Sequence, residues 1–460
     1  MSTTSSGAWP KPGGIKSGGI TQPVTTGSVM KKVSRHLLWF LFVLFFFSFL
    51  DRINIGFAGL TMLQDLELTG MQFGFATTLF YLAYIAFGIP ANLILMRVGA
   101  RLWIGSIMIA WGLASSATMF ATGPLSLYVL RTLVGITEAG FLPGILLYLT
   151  VWFPSAYRAR ANSMFMIAMP VTAAVGSAIS GYILALDGTW GLRGWQWLFL
   201  LEGMPTVALG FMVYYRLHDS PLRAKWLTAD EQQVLAQTLA AEHRAADKRG
   251  EDVSLWRELL SPTVIRFSLT YFCLVNTLAM VAVWAPMIVK SISADASNRT
   301  VGLLATIPQI VTIVAMIVWG RRSDRHQERK WHLVVPMAVS AIGWFMTAYI
   351  EDPFVKMGGV CLASAGSYTA MSIFWTTPDH ALSRRARAVG LAVINALGNI
   401  SSALNPLVVG WLKDLTHSFS AGVVYSAVLL IIGVLIAMTL PIARNARAST
   451  RPEKEAALSA

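Results

Sequence analysis

The chain has 460 residues, 55% of them hydrophobic and only 13% charged, with a formal net charge of +13. Soluble domains carry about 25% charged residues, so this balance, with a mean hydropathy of +0.58, excludes a soluble globular protein and points to helices that cross a bilayer. Transmembrane β-strands would read as short alternating segments instead, and basic loops lying between apolar runs are a mark of membrane topology rather than of nucleic-acid binding.

The first 30 residues are rich in Ser, Thr, Gly and Pro and lack an apolar core, which predicts a disordered tail and not a signal peptide. Residues 31–216 hold six apolar runs, near 37–62, 71–95, 103–121, 126–151, 160–186 and 195–215. In the first, Asp51 and Arg52 stand side by side. A helix starting near Leu37 carries them about 21 Å along its axis, past the midplane of a core about 30 Å thick but still within it. In the fourth, Arg131 and Glu138 are seven residues apart, so they share a face about 10 Å apart along the axis. Residues 217–262 are charged and helix-prone and form a linker. Six more runs, near 264–289, 300–320, 332–350, 354–377, 387–411 and 420–443, fill residues 263–443, and 444–460 form a second tail. The expected fold is all-α and integral to the membrane, with twelve transmembrane helices in two pseudo-symmetric six-helix bundles.

Of the 36 Lys and Arg residues, Arg193, Lys290, Arg299, Lys356 and Lys413 fall on one side of these runs and Arg52 and Arg131 within them; all others fall on the opposite side. That asymmetry predicts cytoplasmic termini and a cytoplasmic linker. The halves also repeat. Arg97, Arg101 and Trp103, after the second run, recur at one fixed offset as Arg325, Arg329 and Trp331 after the eighth, and "RARA" from Arg158 recurs from Arg385. Two related halves can rock about a site between them.

An ionisable group at mid-bilayer costs about 2.5 to 3.5 kcal/mol on insertion scales, so Asp51, Arg52, Arg131 and Glu138 should face the bundle interior. Together they are neutral; protonating one carboxylate leaves the cluster positive and ready for an anion, which couples the two ligands. A guanidinium suits a carboxylate, so Arg52 is the expected substrate contact, with Glu138 and Asp51 as proton carriers and Arg131 tuning Glu138 or helping to hold the anion. Asn395 and Asn399 lie one turn apart on the eleventh run and are further candidates. Glu202, in the sixth, is expected to pair with Arg193. Two cysteines inside apolar runs, seven unclustered histidines and the lack of a phosphate-binding loop leave no metal, cofactor or ATP-driven chemistry to expect.

The stretch "GRRSDRHQERK" (320–330) resembles the signature loop of the major facilitator superfamily, with Met96 standing where the first-half copy usually has an acid. The resemblance implies a cytoplasmic gate made by Arg97, Arg101, Asp324, Arg325 and Arg329. "DRINIGFAGLTM" (51–62), "RTLVGITEAGFLPGILLYLTVWFP" (131–154), "GWQWLFLLEGMP" (194–205) and "AVGLAVINALGN" (388–399) resemble the anion:cation symporter family of that superfamily. The likeness reaches furthest towards its carriers of 4-hydroxyphenylacetate. It implies proton-coupled symport of an organic anion, with the proton as the only coupling ion, by a monomer in a bacterial inner membrane. It also implies substrate contacts at Tyr84, Ser372 and Trp375. Sugar-acid members carry a glutamine near Met169; here Met166 and Met169 present apolar surface, which favours an aromatic or short carboxylate. A carrier of tartrate or another dicarboxylate or sugar acid is the alternative. A transporter-like sensor would need a large signalling extension, and an enzyme a nucleophile or metal cluster.

Overall fold

The computed structural model describes residues 25–247, 261–326, 328–378 and 386–442, and the regular structure among them is helical. Eleven helices are long and apolar enough to cross a membrane. The first span is Thr26–Asp65, followed by Gly70–Val98, Ala100–Phe120 and Pro124–Trp152, then Ser155–Leu184 and Gly194–Arg216. The linker helix Ala229–Asp247 leads to the second half: Pro262–Ile292, Asn298–His326, Lys330–Tyr349, Pro353–Phe374, Ala386–Thr416 and Ser420–Met438. Pro353–Phe374, expected as the tenth span, is helical but is not among those eleven. Its apolar content is diluted by Gly, Ser and Thr, and Ser364, Ser367 and Thr369 are buried against neighbouring helices. Small residues of this kind let membrane helices approach closely.

Two expectations need correction. Helix begins at Thr26, inside the stretch expected to be a disordered tail and well before Leu37. Thr25 and Ser28 form a capping box there, and Val29, Met30 and Val33 are buried, packing in one cluster with Leu235 and Leu239 of the linker helix. Such a box satisfies helix donors that would otherwise be orphaned. Residues 1–24 and the tail 444–460 lie outside the described residues, as do 248–260 of the linker. The fourth span is also not continuous. Helix stops at Glu138 and resumes as Phe141–Trp152; Pro143 has no N–H to give the Ala139 carbonyl, and the indole of Trp103 packs beside Gly140.

Across the middle, the second span packs on the eleventh, the fifth on the eighth and the first on the seventh. Contact is closest on the side away from the basic loops. A Cβ at Gly181 would stand 2.8 Å from the Cα of Gly302, and one at Gly74 would collide with the Pro406 backbone. Hydrogen bonds cross at the same level: Thr78 Oγ1 to the Ala403 carbonyl (2.6 Å), Thr306 Oγ1 to the Ala174 carbonyl (3.2 Å) and Arg299 Nη2 to Tyr182 Oη (2.9 Å). Asp414, on the eleventh span, accepts from the backbone N–H groups of Gly70 and Met71, each at 2.7 Å. On the basic side, a Cβ at Gly88 or Gly320 would meet nothing within 4 Å. The halves are therefore joined on the face away from the basic loops.

Candidate functional site

Successive residues of a helix point about 100° apart, and this separates Asp51 from Arg52. Arg52 turns towards the fourth span, where its Nε donates to Glu138 Oε1 at 2.7 Å. Its guanidinium carbon lies 4.8 Å over the Tyr84 ring, so the expected tyrosine does sit at the site. Ser48 Oγ donates to the same Glu138 oxygen at 3.3 Å. Glu138 is wholly buried and its Oε2 has no partner, whereas the Arg52 side chain is 23% exposed. The pair thus has a dry end and a wet end, and the wet end is the cation. Arg131 does not pair with Glu138. It is 1% exposed, its guanidinium lies 5.0 Å over the Phe80 ring and its Nε has no partner. It is a buried charge behind the site and not a lining residue.

Asp51 faces the other way. It is 2% exposed and accepts from Trp111 Nε1 (2.7 Å), Ser115 Oγ (2.9 Å), Asn54 Nδ2 (3.2 Å) and Thr206 Oγ1 (3.4 Å). It is thus held between the first, third and sixth spans and not beside Arg52 in the open space. Glu202 is not paired with Arg193 either: Arg193 Nε lies 3.9 Å from Asp65, while Glu202 accepts from Ser180 Oγ at 2.8 Å.

From the second half, Trp375 meets Tyr271 edge-on at 5.0 Å, and Tyr271 stacks on Phe374 at 4.9 Å. Tyr271 also lies close enough to Tyr84 to interact with it, as Tyr368 does with Tyr81. Tyr81 in turn senses Arg52, Glu138 and Arg131. Sequence reasoning missed Tyr81, Tyr271 and Tyr368; Tyr81 stands three residues before Tyr84, close to one helical turn, and that spacing was the available signal. Ser372 is half-buried and spends its hydroxyl hydrogen on the Thr369 carbonyl at 2.8 Å. Asn395 is exposed and Asn399 half-buried, with Gly398 between them against the Tyr271 ring. Met169 is half-buried; the side chain of Met166 lies outside the described residues. Between the halves a small cavity is lined by Ile53, Phe57, Ser177, Gln309 and Tyr368, among others.

Arg329 pairs with Asp324 at 2.7 Å and donates to Ser323 Oγ at 2.8 Å. Arg101 donates its backbone N–H to Asp219 at 3.1 Å and its guanidinium to the Tyr214 carbonyl at 2.5 Å. Asp219, at the end of the sixth span, thus supplies the acid that Met96 does not. Arg97 and Arg325 are exposed. Residues 379–385, including Arg385 of the second "RARA", lie outside the described residues.

A family model described as Major Facilitator Superfamily matches residues 41–406 and 291–460. The chain is 40% identical over 412 residues to an Agrobacterium vitis protein provisionally named a tartrate transporter, covering 90% of this chain and 91% of that one. It is 37% identical over 420 residues to a Pseudomonas putida protein provisionally named metabolite transport protein NicT, covering 90% and 95%. Among solved structures, a bacterial homolog of the human lysosomal transporter Spinster superposes with a TM-score of 0.72 at 15% identity, covering 88% of this chain and 96% of that one. The xylose transporter XylE from E. coli gives 0.70 at 14%, with the same coverages.

Proposed function

Since the chain belongs to the Major Facilitator Superfamily and is a multi-pass membrane transporter rather than an enzyme, we propose that it is a proton-coupled symporter of a small organic anion, of the anion:cation symporter type. It works by alternating access, as a monomer, in a bacterial inner membrane. The observation that carries the coupling is the 2.7 Å contact between Arg52 and Glu138. With Glu138 ionised, Arg52 is occupied by an internal carboxylate and has little to offer an external one. A proton on Glu138 releases the guanidinium, whose exposed face then takes the substrate carboxylate. Proton and anion each favour the other's binding, and neither binds well alone.

The excess of Lys and Arg assigns the basic side to the cytoplasm, so the joined face is periplasmic and the state is inward-facing. Glu138 is the coupling carrier. Asp51, enclosed by four donors of its own, does not enter the exchange of partners at Arg52.

The substrate favoured by the site's chemistry is an aromatic monocarboxylate such as 4-hydroxyphenylacetate. Tyr81, Tyr84, Tyr271 and Trp375 offer aromatic surface around one accessible cation, and among the described residues Arg131 is too buried to hold a second carboxylate. A second reading, tartrate or a related dicarboxylate, is favoured by the name of the 40% identical relative. Uptake of labelled 4-hydroxyphenylacetate and of labelled tartrate into proteoliposomes, with and without an inward proton gradient, separates the two. Gradient-dependent uptake of the first is expected; brisk tartrate uptake beside none of the aromatic acid selects the second. Uptake indifferent to the gradient removes proton coupling.

A further inference from the structure

The carboxyl group of Glu202 takes no part in that cycle, and its surroundings are unusual. It lies in the sixth span, 2% exposed. One oxygen accepts from Ser180; the other, Oε2, is buried with no partner. Asn54 lies against it. The amide nitrogen of Asn54 gives one of its two hydrogens to Asp51, and its carbonyl oxygen is likewise buried with no partner. The sixth span packs on the third, first and fifth. From the first span the ionisable neighbour is Asp51, since Arg52 is turned to Glu138. The third span carries no ionisable side chain beyond Arg101 at its basic end. The fifth brings Tyr182, which is engaged by Arg299. Arg193, the nearest cation in the following of the chain, is drawn to Asp65.

Two buried carboxyl groups therefore share Asn54, with very different support. Asp51 has four donors spread over both oxygens, enough to hold a charge without a cation. Glu202 has the Ser180 hydroxyl and the neighbouring Asn54 amide. Two acceptors, Glu202 Oε2 and Asn54 Oδ1, are short of a hydrogen, and an acceptor buried without a donor is costly. Turning the Asn54 amide over only moves the deficit to Asp51. One proton removes it at both atoms.

We infer that Glu202 carries a proton on Oε2, donated to Asn54 Oδ1, so that Asp51, Asn54 and Glu202 form a second proton site of the transporter with a single negative charge. It lies inside the first six helices, apart from the Arg52–Glu138 pair, and keeps Asp51 ionised by sparing it a neighbouring anion. Two like charges that share one amide in a dry interior are not both held.

Infrared spectroscopy on the purified transporter in liposomes tests this. At neutral pH the wild type should show the carbonyl stretch of a protonated carboxylic acid. Labelled glutamate should shift that band, and Glu202→Gln should remove it. The glutamine amide can donate to Asn54 and accept from Ser180, so Glu202→Gln should keep substrate exchange. A wild type without a glutamate acid band, a band that survives in Glu202→Gln, or a variant that folds but exchanges at no pH overturns the inference. Glutamate-labelled Glu138→Gln should keep the band, which assigns it to Glu202 even if Glu202→Gln does not fold; loss of the band there overturns the inference. Failure of Glu138 as carrier leaves the band in place, so the two readings fail separately.

Discussion

Replacing Glu138 with glutamine should uncouple the transporter without emptying its site. Arg52 and Glu138 meet at 2.7 Å, which puts their charge centres about 4 Å apart; at an effective dielectric of about 20 the attraction is about 4 kcal/mol. The Arg52 side chain is 23% exposed, so water in the cavity recovers part of that when the pair breaks. Keeping about half leaves about 2 kcal/mol, which an incoming carboxylate must overcome in the unprotonated wild type and need not in the variant. Roughly thirtyfold tighter substrate binding at neutral or alkaline pH is expected of Glu138→Gln, with little remaining pH dependence. Energetic coupling should disappear with it. One pH unit across the membrane is worth about 1.4 kcal/mol, or tenfold accumulation per coupled proton, in the wild type and nothing in the variant. Titration calorimetry gives the affinity, and proteoliposome uptake beside counterflow gives the accumulation. Weaker binding together with undiminished gradient-driven accumulation would refute the exchange of partners at Arg52.

Arg52→Lys keeps the charge but loses the flat stacking over Tyr84 and the fork suited to a carboxylate; about tenfold weaker substrate binding is expected by calorimetry, and no loss would mean that the substrate carboxylate binds elsewhere. Asp414→Ala removes the two 2.7 Å bonds that join the second span to the eleventh. At about 1 to 2 kcal/mol for a lost helix cap, spin-label distances should show about a tenfold shift towards opening on the face now joined. Glu242 braces the start of the fifth span through the N–H and hydroxyl of Ser155 and through Arg158. Partial burial pushes its carboxyl up, but those bonds outweigh burial and hold it below its ordinary value. A depressed carboxyl stabilises above its unfolded value and ceases to as pH falls through the folded one. Hydrogen-exchange protection in 229–247 should therefore fall on acidification, and be lowered already at neutral pH in Glu242→Gln.

The spans were legible because lipid demands about 20 apolar residues in a row, and Asp51, Arg52, Arg131 and Glu138 because charge inside such runs is rare. What each charge touches was not. Neighbours in sequence read as partners, yet one helical step sends Asp51 into a bed of Trp111, Ser115 and Thr206 and sends Arg52 to Glu138. Those contacts depend on how the first span is rotated against the third, fourth and sixth, which no local pattern sets. Arg193 likewise looked available to Glu202 until the fold placed it by Asp65. The aromatic wall is the same case. Tyr271 and Tyr368 look like any of the chain's 12 tyrosines until the halves are set face to face. Asp219 replaces the acid missing at Met96 from outside the loop pattern altogether.

The separation of Asp51 from Arg52 also bears on why four buried charges are tolerable. If all of them lined one wet cavity, water would screen each and weaken the coupling between proton and anion. Here only Arg52 reaches the open space; Glu138 is shielded behind it, and Arg131 lies under Phe80. In the proposed cycle a charge change at Glu138 is felt through a dry contact of 2.7 Å, where a low dielectric makes it count, and is read out at Arg52, the more exposed member of the pair. The break in the fourth span directly after Glu138 adds a mechanical side to this. In the proposed cycle the residue whose protonation releases Arg52 ends one helical segment, and Phe141–Trp152 follows as a second. Locking the break with Gly140→Ala sets the added methyl against the Trp103 ring. If bending at this point accompanies transport, that variant should retain substrate binding and lose turnover; equal loss of both would make the break a packing feature only.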